Sequence, residues 1–285
     1  MNMHRIITVL IIGFFSLTAC EDVVEVDVNK SETQICIDAI ITNAKEPQVV
    51  RISQSIAYFD NSGDFPPYAV DSVVMSDNLG NKYYFDKTQT GVYTYLPSPL
   101  DSLEQNSHFI LKVYKGQAVY TAQSTLMRST SIDSLTYQYN ERMNGYIVSL
   151  HARDAYGVGD CYWLRTYRNG VFMNHPGKIN IAYDAGYPQM FSDSLEFVFP
   201  IAIMQINDFE KPYQIGEKVK VEILGINGDY YQYLSMAQQQ MQNGGMFAPP
   251  PVNVRTNFTA NAHALTPVGF FNVCEVQSAE IEIIK

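Results

Sequence analysis

Long apolar runs are scarce in this chain of 285 residues, and the longest, Ile6 to Leu17, is too short to cross a bilayer, which takes about 20 apolar residues. Basic residues are also in deficit. Lysine and arginine total 19 against 29 acids, for a formal charge of −10, and that balance argues against nucleic acid or an anionic lipid surface as partner. Tryptophan occurs once and cysteine four times, with no CxxC spacing for metal or redox work. There is no HExxH pair and no GxSxG elbow, so neither a zinc protease nor a serine hydrolase is signalled. What the chain does hold is apolar and aromatic: 46% apolar residues and 20 tyrosines. It can bury a core, and tyrosine at this frequency suits half-buried strand faces and contact surfaces.

The first residues carry an address. His4 and Arg5 precede the apolar run, and small residues lead to Cys20, the layout of a secretory signal. Leu17-Thr18-Ala19-Cys20 resembles the lipobox of bacterial lipoproteins, in which the chain is cut before the cysteine and lipid is carried on its sulfur and new amino group. Residues 1–19 are therefore expected to be a signal peptide and Cys20 the lipidation site. Removing them takes away one arginine and no acid, so the formal charge moves from −10 to −11. Residues 20–32 read as an acidic tether reaching about 40 Å when extended. Acidic residues directly after the cysteine resemble the surface-export signal of Bacteroidota lipoproteins, which implies the outer membrane and the cell surface.

From residue 33 the chain reads as strands. In Gln34 to Thr42, Ile35, Ile37, Ala39 and Ile41 fall on one face with period two. Further runs lie at 48–53, 70–76, 82–85, 91–96, 108–114 and 117–123, with turn residues between them. About seven strands in this segment suggest an immunoglobulin- or transthyretin-like sandwich over 33–127. Cys36 reads as a small core residue on its strand. The loop 57–68 offers Asp60, Asn61, Ser62 and Asp64 as oxygen ligands for calcium, but it lacks an EF-hand spacing, and a plain exposed loop is the simpler reading.

Residues 128–285 read as a second β-rich domain carrying one α-helix. Strand-like runs occur at 133–139, 146–152, 161–167, 195–199 and 218–226, and Arg168-Asn169-Gly170-Val171 is a hairpin signal. A Cys161–Cys274 bridge stays open. Helical period appears only at 229–242, which places Tyr230, Tyr233, Leu234, Ala237 and Met241 on one face. Beyond it, Gly244 to Asn257 forms a stiff arm whose Pro249, Pro250 and Pro251 cannot join the middle of a sheet. With Met246 and Phe247 as apolar anchors, this arm is either an interaction surface or a strap folded over the domain's own core. The segments GFFNVCEV and AEIEII are expected to close the domain as a final pair of strands.

The lipobox, ICIDAIITN, AYFDN followed by PP, YYQYLSMAQQQ and above all GGMFAPPPVNVRTN with LTPVGFF resemble the Bacteroidota outer-membrane lipoproteins built on domain of unknown function 4249. The likeness covers essentially the whole mature chain. It implies an accessory protein of a TonB-dependent receptor, and it carries over no catalytic residue. Four tripeptides, centred on Ser72, Ser102, Ser134 and Ser194, each follow Asp and precede an aliphatic residue. They resemble the acceptor of Bacteroidota protein O-glycosylation; the alternative is that Asp-Ser ends a turn and the aliphatic residue starts a strand. Asn257-Phe258-Thr259 matches the N-glycosylation sequon, a match without meaning in a bacterial lipoprotein.

Candidate chemistry is thin. The histidines, at 4, 108, 151, 175 and 263, are scattered. Asp154 and Asp160 flank a glycine-containing loop that could hold a metal, although a hairpin connection is the default, and Asp208 lies near Glu210. Neither pair is placed for glycoside hydrolysis by sequence spacing. The expectation is a non-enzymatic, lipid-anchored binding protein with no cofactor and no metal, its ligand unknown. The alternatives are an adhesive or structural module that recognises protein or glycan, and a hydrolase whose site is invisible in linear sequence.

Overall fold

A computed structural model describes residues 32–56, 60, 62–98, 103–153, 157–183, 206–208, 211–242 and 252–285. Residues 33–285 form one compact unit. Its strands are β1 (Ile35–Thr42), β2 (Gln48–Gln54), β3 (Ser72–Asp77), β4 (Lys82–Gln89), β5 (Val92–Tyr95), β6 (His108–Lys115), β7 (Ala118–Thr125), β8 (Ser131–Asn140), β9 (Gly145–Arg153), β10 (Cys161–Arg168), β11 (Val171–Phe172), β12 (Asn180–Tyr183), β13 (Lys218–Ile226), β14 (Thr259–Ala260) and β15 (Pro267–Glu282). One helix, α1 (Gly228–Met241), interrupts them. Among the described residues the protein is mainly β with one α-helix, as the periodicity indicates.

The first strand shows how pattern becomes packing. Ile35, Ile37, Ala39 and Ile41 are buried as the alternation requires, because successive side chains of a strand point to opposite faces. β1 pairs antiparallel with β2 and parallel with β15. The order then runs β2-β5-β4-β3-β6-β7-β14, and the sheet rolls until β7 approaches β15. Side chains bridge that seam. Asn257 Nδ2 donates to Gln123 O (3.0 Å) and Phe271 O (2.8 Å), while its Oδ1 accepts from Phe271 N–H (2.9 Å). Ser124 Oγ accepts from Val273 N–H at 2.9 Å. Inside the roll lie Val50, Met75, Tyr93, Phe109, Leu111, Tyr120, Phe271 and Val273, among others. The Tyr93 hydroxyl accepts from Val70 N–H (2.6 Å) and lies 2.7 Å from Val70 O, which ties the β2–β3 connection to the core.

β15 extends this roll into the rest of the chain. Its first half pairs with β1, and its second half pairs antiparallel with β13, which continues to β10, β11 and β12. Two closing strands were expected here; the structure has one strand of 16 residues. No glycine, proline or asparagine stands between Cys274 and Glu282, so nothing turns the chain. The ranges expected as two domains thus share a strand.

The sheet around β10 and β13 is covered on both faces. Tyr162, Leu164, Val219, Val221 and Ile223 face the β8–β9 hairpin through Leu135, Val148 and Leu150. Trp163, Leu224, Ile226, Phe270 and Cys274 face α1 through Tyr230 and Leu234. Asn227 caps the helix, its Oδ1 accepting from Tyr230 N–H at 2.8 Å. Met241, expected on the packed face, is 51% exposed. The contact ends one turn earlier, at Gln238, whose amide donates to Ile179 O. Asn169 and Gly170 both adopt positive φ, 50° and 78°, as the two-residue hairpin between β10 and β11 requires.

The cysteines bring one correction and close one alternative. Cys36 is half-buried on the face of β1 opposite the roll's core, because it is out of phase with Ile35 and Ile37. Cys161 and Cys274 do not pair. Cys161 lies opposite Ile226, and the β13–β15 register at Gly225↔Glu275 puts Cys274 on the far side of that same strand. Two strand spacings, about 9.6 Å, exceed the roughly 7 Å a disulfide can span. Burial pushes the Cys161 thiol to about 11 and the Cys274 thiol to about 12, so both stay protonated at neutral pH.

One ion pair clasps the end of this sheet. Arg168 donates to Glu217 through Nε (2.8 Å) and Nη2 (2.5 Å), and Glu217 also accepts from Gln214 N–H (2.8 Å). The guanidinium stacks over Tyr213 at 4.9 Å. The Arg168 hydrogen bonds hold the Glu217 carboxyl below its ordinary value of 4.5. A depressed folded-state pKa gives stability that is present above the unfolded value and lost as pH falls through the folded one. The clasp is therefore expected to contribute fully at neutral pH and to weaken below about pH 4.5. Glu217→Gln should show a shallower loss of urea midpoint between neutral and acid pH than the wild type. Equal acid losses in both proteins would show that the clasp contributes nothing.

Candidate functional site

The turn between β1 and β2 is built by one residue. Gln48 is 4% exposed. Its Oε1 accepts from Thr42 N–H (2.7 Å) and Thr42 Oγ1 (3.3 Å), and its Nε2 donates to Ala44 O (3.2 Å) and Glu46 O (2.9 Å). All four capacities of a buried amide are used on six residues of backbone, as buried polar groups require. The turn is rigid and stands at one end of the roll. Lys45 projects from it, with Nζ 3.4 Å from Ser98 O.

Behind the turn, the two walls of the roll do not close. A cavity of about 200 Å³ opens between them. Ile41 and Met75, both core residues, line it with Tyr83, Tyr95 and Leu103, and its rim is Thr42 to Lys45 with Pro97. Tyr83 and Tyr95 meet edge to face, centroids 5.5 Å apart at 79°. The Tyr83 hydroxyl donates to Asp77 Oδ2 at 3.0 Å. The other Asp77 oxygen accepts from Leu79 and Asn81 N–H; against burial, which raises it, the Asn81 side-chain amide on Oδ2 together with these bonds holds its carboxyl below the usual range. Lining polar groups are thus engaged with the protein itself, and the cavity presents a largely apolar interior. A preformed apolar pocket with a few placed polar groups is the usual form of a small-molecule site.

A second cleft, of about 300 Å³, lies between Asp77, Asn78 and His108 of the roll and Asn227 and Asp229 at the start of α1. Its polar groups bond to one another: His108 Nδ1 lies 2.8 Å from Thr125 Oγ1, and Asn227 Nδ2 donates to Ser124 Oγ at 3.3 Å. It serves as a polar joint.

The residues singled out in the sequence are dispersed. Ser72 opens β3 and Ser134 lies beside a register shift in β8, and both are exposed. Ser102, Ser194, Cys20, Met246, Phe247, Pro249, Pro250 and Pro251 lie outside the described residues. The end of the proline arm is described. Val252 N–H donates to Gln240 Oε1 (3.1 Å), Arg255 Nη1 donates to Gln232 Oε1, and Asn257 ties the seam. In the loop read for calcium, Asp60 accepts from Ser62 N–H and Ser62 from Asp64 N–H. These are local turns. Among the described residues no group of three or more His, Cys, Asp or Glu side chains is placed to hold a metal. Asp160 is spent on Arg128, with contacts at 3.2 and 2.7 Å, and Asp154 and Glu210 lie outside the described residues. Asp208 Oδ1 accepts from Lys211 N–H. His151 bonds Thr136, and His175 accepts from Gly177 N–H. Sequence reasoning missed the cavity and Gln48, since five separate stretches converge there and none carries a motif.

Among the described residues, the rolled sheet, the shared last strand and the packed helix define a β-rich extended-sheet protein with a small, largely apolar cavity. The chain belongs to the family described as Domain of unknown function (DUF4249), which matches residues 21–280. No curated protein matches it.

Proposed function

We propose that this chain is a non-enzymatic lipoprotein, anchored through Cys20 in the outer membrane and facing the cell surface, that binds a ligand for a TonB-dependent receptor. The observation that carries the anchor is positional. The family match begins at residue 21, directly after the cysteine that ends the export segment and its Leu-Thr-Ala approach. Among the described residues no helix is long and apolar enough to cross a membrane, so on this reading attachment falls to lipid. Several acyl chains anchor stably where one holds only marginally. The order β1-β2-β5-β4-β3-β6-β7 is continuous, with β3 and β4 paired; parted between those two strands it has the strand sequence of the two immunoglobulin sheets, and this favours reading 33–127 as an immunoglobulin-type sandwich. The exposure of Ser72 and Ser134 supports both as O-glycan acceptors.

Cys20→Ser should abolish metabolic labelling with a fatty acid and release the protein from the membrane fraction. A mild-detergent pull-down of the wild type should recover a large β-barrel. An unlabelled wild type together with a membrane-bound serine variant would sink the anchor, and a pull-down without a barrel would sink the receptor assignment.

A further inference from the structure

We propose that the recess between the start of α1 and strands β1 and β2 binds a hydroxylated carboxylate, a sugar acid in type, with its carboxylate at Arg51 and Arg165 and its hydroxyls at Asp38 and Tyr233. This deepens the reading of the chain as a binding protein and rests on it. Register places the groups. Asp38 lies on the face of β1 opposite the roll's core, across from Arg51 on β2 and Phe270 on β15. Phe270 packs against α1, its ring centroid 5.2 Å from that of Tyr230 and 5.1 Å from that of Tyr233, so the start of the helix stands beside Asp38. Arg165 approaches from β10, its guanidinium 4.0 Å from the centre of the Trp163 ring, and Trp163 meets Tyr230 at 6.0 Å. Asp38 lies within the field of Arg51, Arg165 and Tyr233 alike.

These groups converge without pairing. Elsewhere charged side chains engage one another, Asp160 with Arg128 and Glu217 with Arg168. Here, among the described residues, no hydrogen bond or ion pair engages the Asp38 carboxylate, the Arg51 guanidinium or the Tyr233 hydroxyl. Arg165 leans on the Tyr167 hydroxyl, which itself donates to Glu222, and its buried Nε has no partner. Asn272 is fully buried and points to this same face between Phe270 and Cys274, with both amide atoms unpartnered, although buried polar atoms are almost always paired. Asp38 and Arg51 are exposed, and Arg165 and Tyr233 are half-buried, so a solute reaches them. Desolvation nevertheless raises the Asp38 carboxyl above its ordinary 3.8, against the pull of both guanidiniums. A carboxylate that is accessible and yet desolvated lies in a recess.

The charges select the ligand. Two guanidiniums against one carboxylate favour an anion, and their planar forks suit a carboxylate. The rest of the ligand has to satisfy Asp38. An ammonium placed there would also face both guanidiniums, and like charges disfavour one another. A hydroxyl donates without charge. The Tyr233 phenol both donates and accepts, which suits a second hydroxyl. A carboxylate and several hydroxyls on one small frame make a sugar acid.

The test uses the full-length chain in detergent and reads the heat of binding together with the emission of Trp163, the sole tryptophan, on which Arg165 rests. The probe is methyl β-D-glucuronide. Methyl β-D-glucoside lacks its charge, and cyclohexanecarboxylate keeps a ring and the charge without the hydroxyls. The glucuronide should give saturable heat and move the Trp163 emission, and each control should bind about tenfold more weakly, the order of one charge-assisted hydrogen bond. Arg51→Gln should narrow the gap between glucuronide and glucoside, and Asp38→Asn the gap between glucuronide and cyclohexanecarboxylate, both with the thermal midpoint in place. No saturable heat with the glucuronide, heat without a Trp163 response, or wild-type affinity in both variants overturns the site. Equal binding of glucuronide and glucoside by the wild type overturns the carboxylate, and equal binding of glucuronide and cyclohexanecarboxylate overturns the hydroxyls. Recovery of the barrel is scored separately on the wild type. Probe binding without a barrel leaves this site standing and removes the receptor, and a barrel without probe binding does the reverse.

Discussion

Gly225→Ala is expected to cost about 4 kcal/mol or more, the range reached when backbone must move to admit a side chain. Gly225 lies near the end of β13, opposite Tyr162 on β10 and Glu275 on β15. A Cβ there would fall well inside van der Waals contact of the Arg128 carbonyl and 2.7 Å from Ser129 N. None of these atoms can swing aside as a side-chain tip would. The crossing segment is pinned: Ser129 Oγ donates to Ile223 O (2.7 Å), Ser129 N–H donates to Glu275 Oε2 (2.9 Å), and Glu275 N–H donates to Met127 O (3.0 Å). Even one methyl therefore has to separate β13 from the chain that leads out of the roll. Gly228→Ala is the control, since a Cβ at the first residue of α1 meets nothing within 4 Å. Urea unfolding should show a large loss for Gly225→Ala and little change for Gly228→Ala. Equal midpoints for the two variants would mean that the crossing is not close-packed.

How far this architecture is legible in the sequence depends on the range over which each feature is decided. β1 is readable because its isoleucines alternate within eight residues and the burial follows. The helix is readable because Tyr230 and Leu234 recur at helical spacing above an asparagine cap. The Asn169-Gly170 turn needs only its two residues. The parallel pairing of β1 with β15 is different, because Ile35 meets Pro267 across almost the whole chain and no local pattern encodes it. The same distance hid the fate of Cys161 and Cys274. The sequence leaves a bridge between them open, and only the register shows a whole strand between them. The cavity is hidden for a related reason. Ile41, Met75 and Tyr95 each look like ordinary inward strand residues, and the space between them exists only because the rolled walls diverge at that end. Gln48 carried a weak signal: a glutamine that opens an apolar strand, directly after a turn ended by Pro47.

Asn257→Ala is the second large effect, expected at about 3 kcal/mol, since each buried group left without its partner costs roughly 1–3 kcal/mol. Asn257 belongs to a sequon that the sequence leaves without meaning, and it stands at the end of the arm read as an interaction surface. Its amide instead acts as a stretch of strand. One face of the amide exchanges two hydrogen bonds with the Phe271 backbone, and its second N–H reaches Gln123 O on β7. β7 and β15 do not pair directly along this seam, so the Asn257 side chain and Ser124 Oγ are what join them there. Alanine removes both donors and the acceptor and leaves Phe271 N–H and O without these partners, because the methyl offers them nothing. Asn257→Asp keeps an acceptor for Phe271 N–H but sets a carboxylate against two carbonyl oxygens, so at neutral pH it should destabilise about as much as alanine. Acidification separates the two. Protonation gives the aspartate one donor, so the deficit of Asn257→Asp relative to wild type should shrink as pH falls through the carboxylate range, while that of Asn257→Ala should not. Urea midpoints measured at neutral and acid pH read both effects. A wild-type midpoint for Asn257→Ala would show that the roll closes without this bridge, and its seam would then have to be held by Ser124 Oγ and core packing.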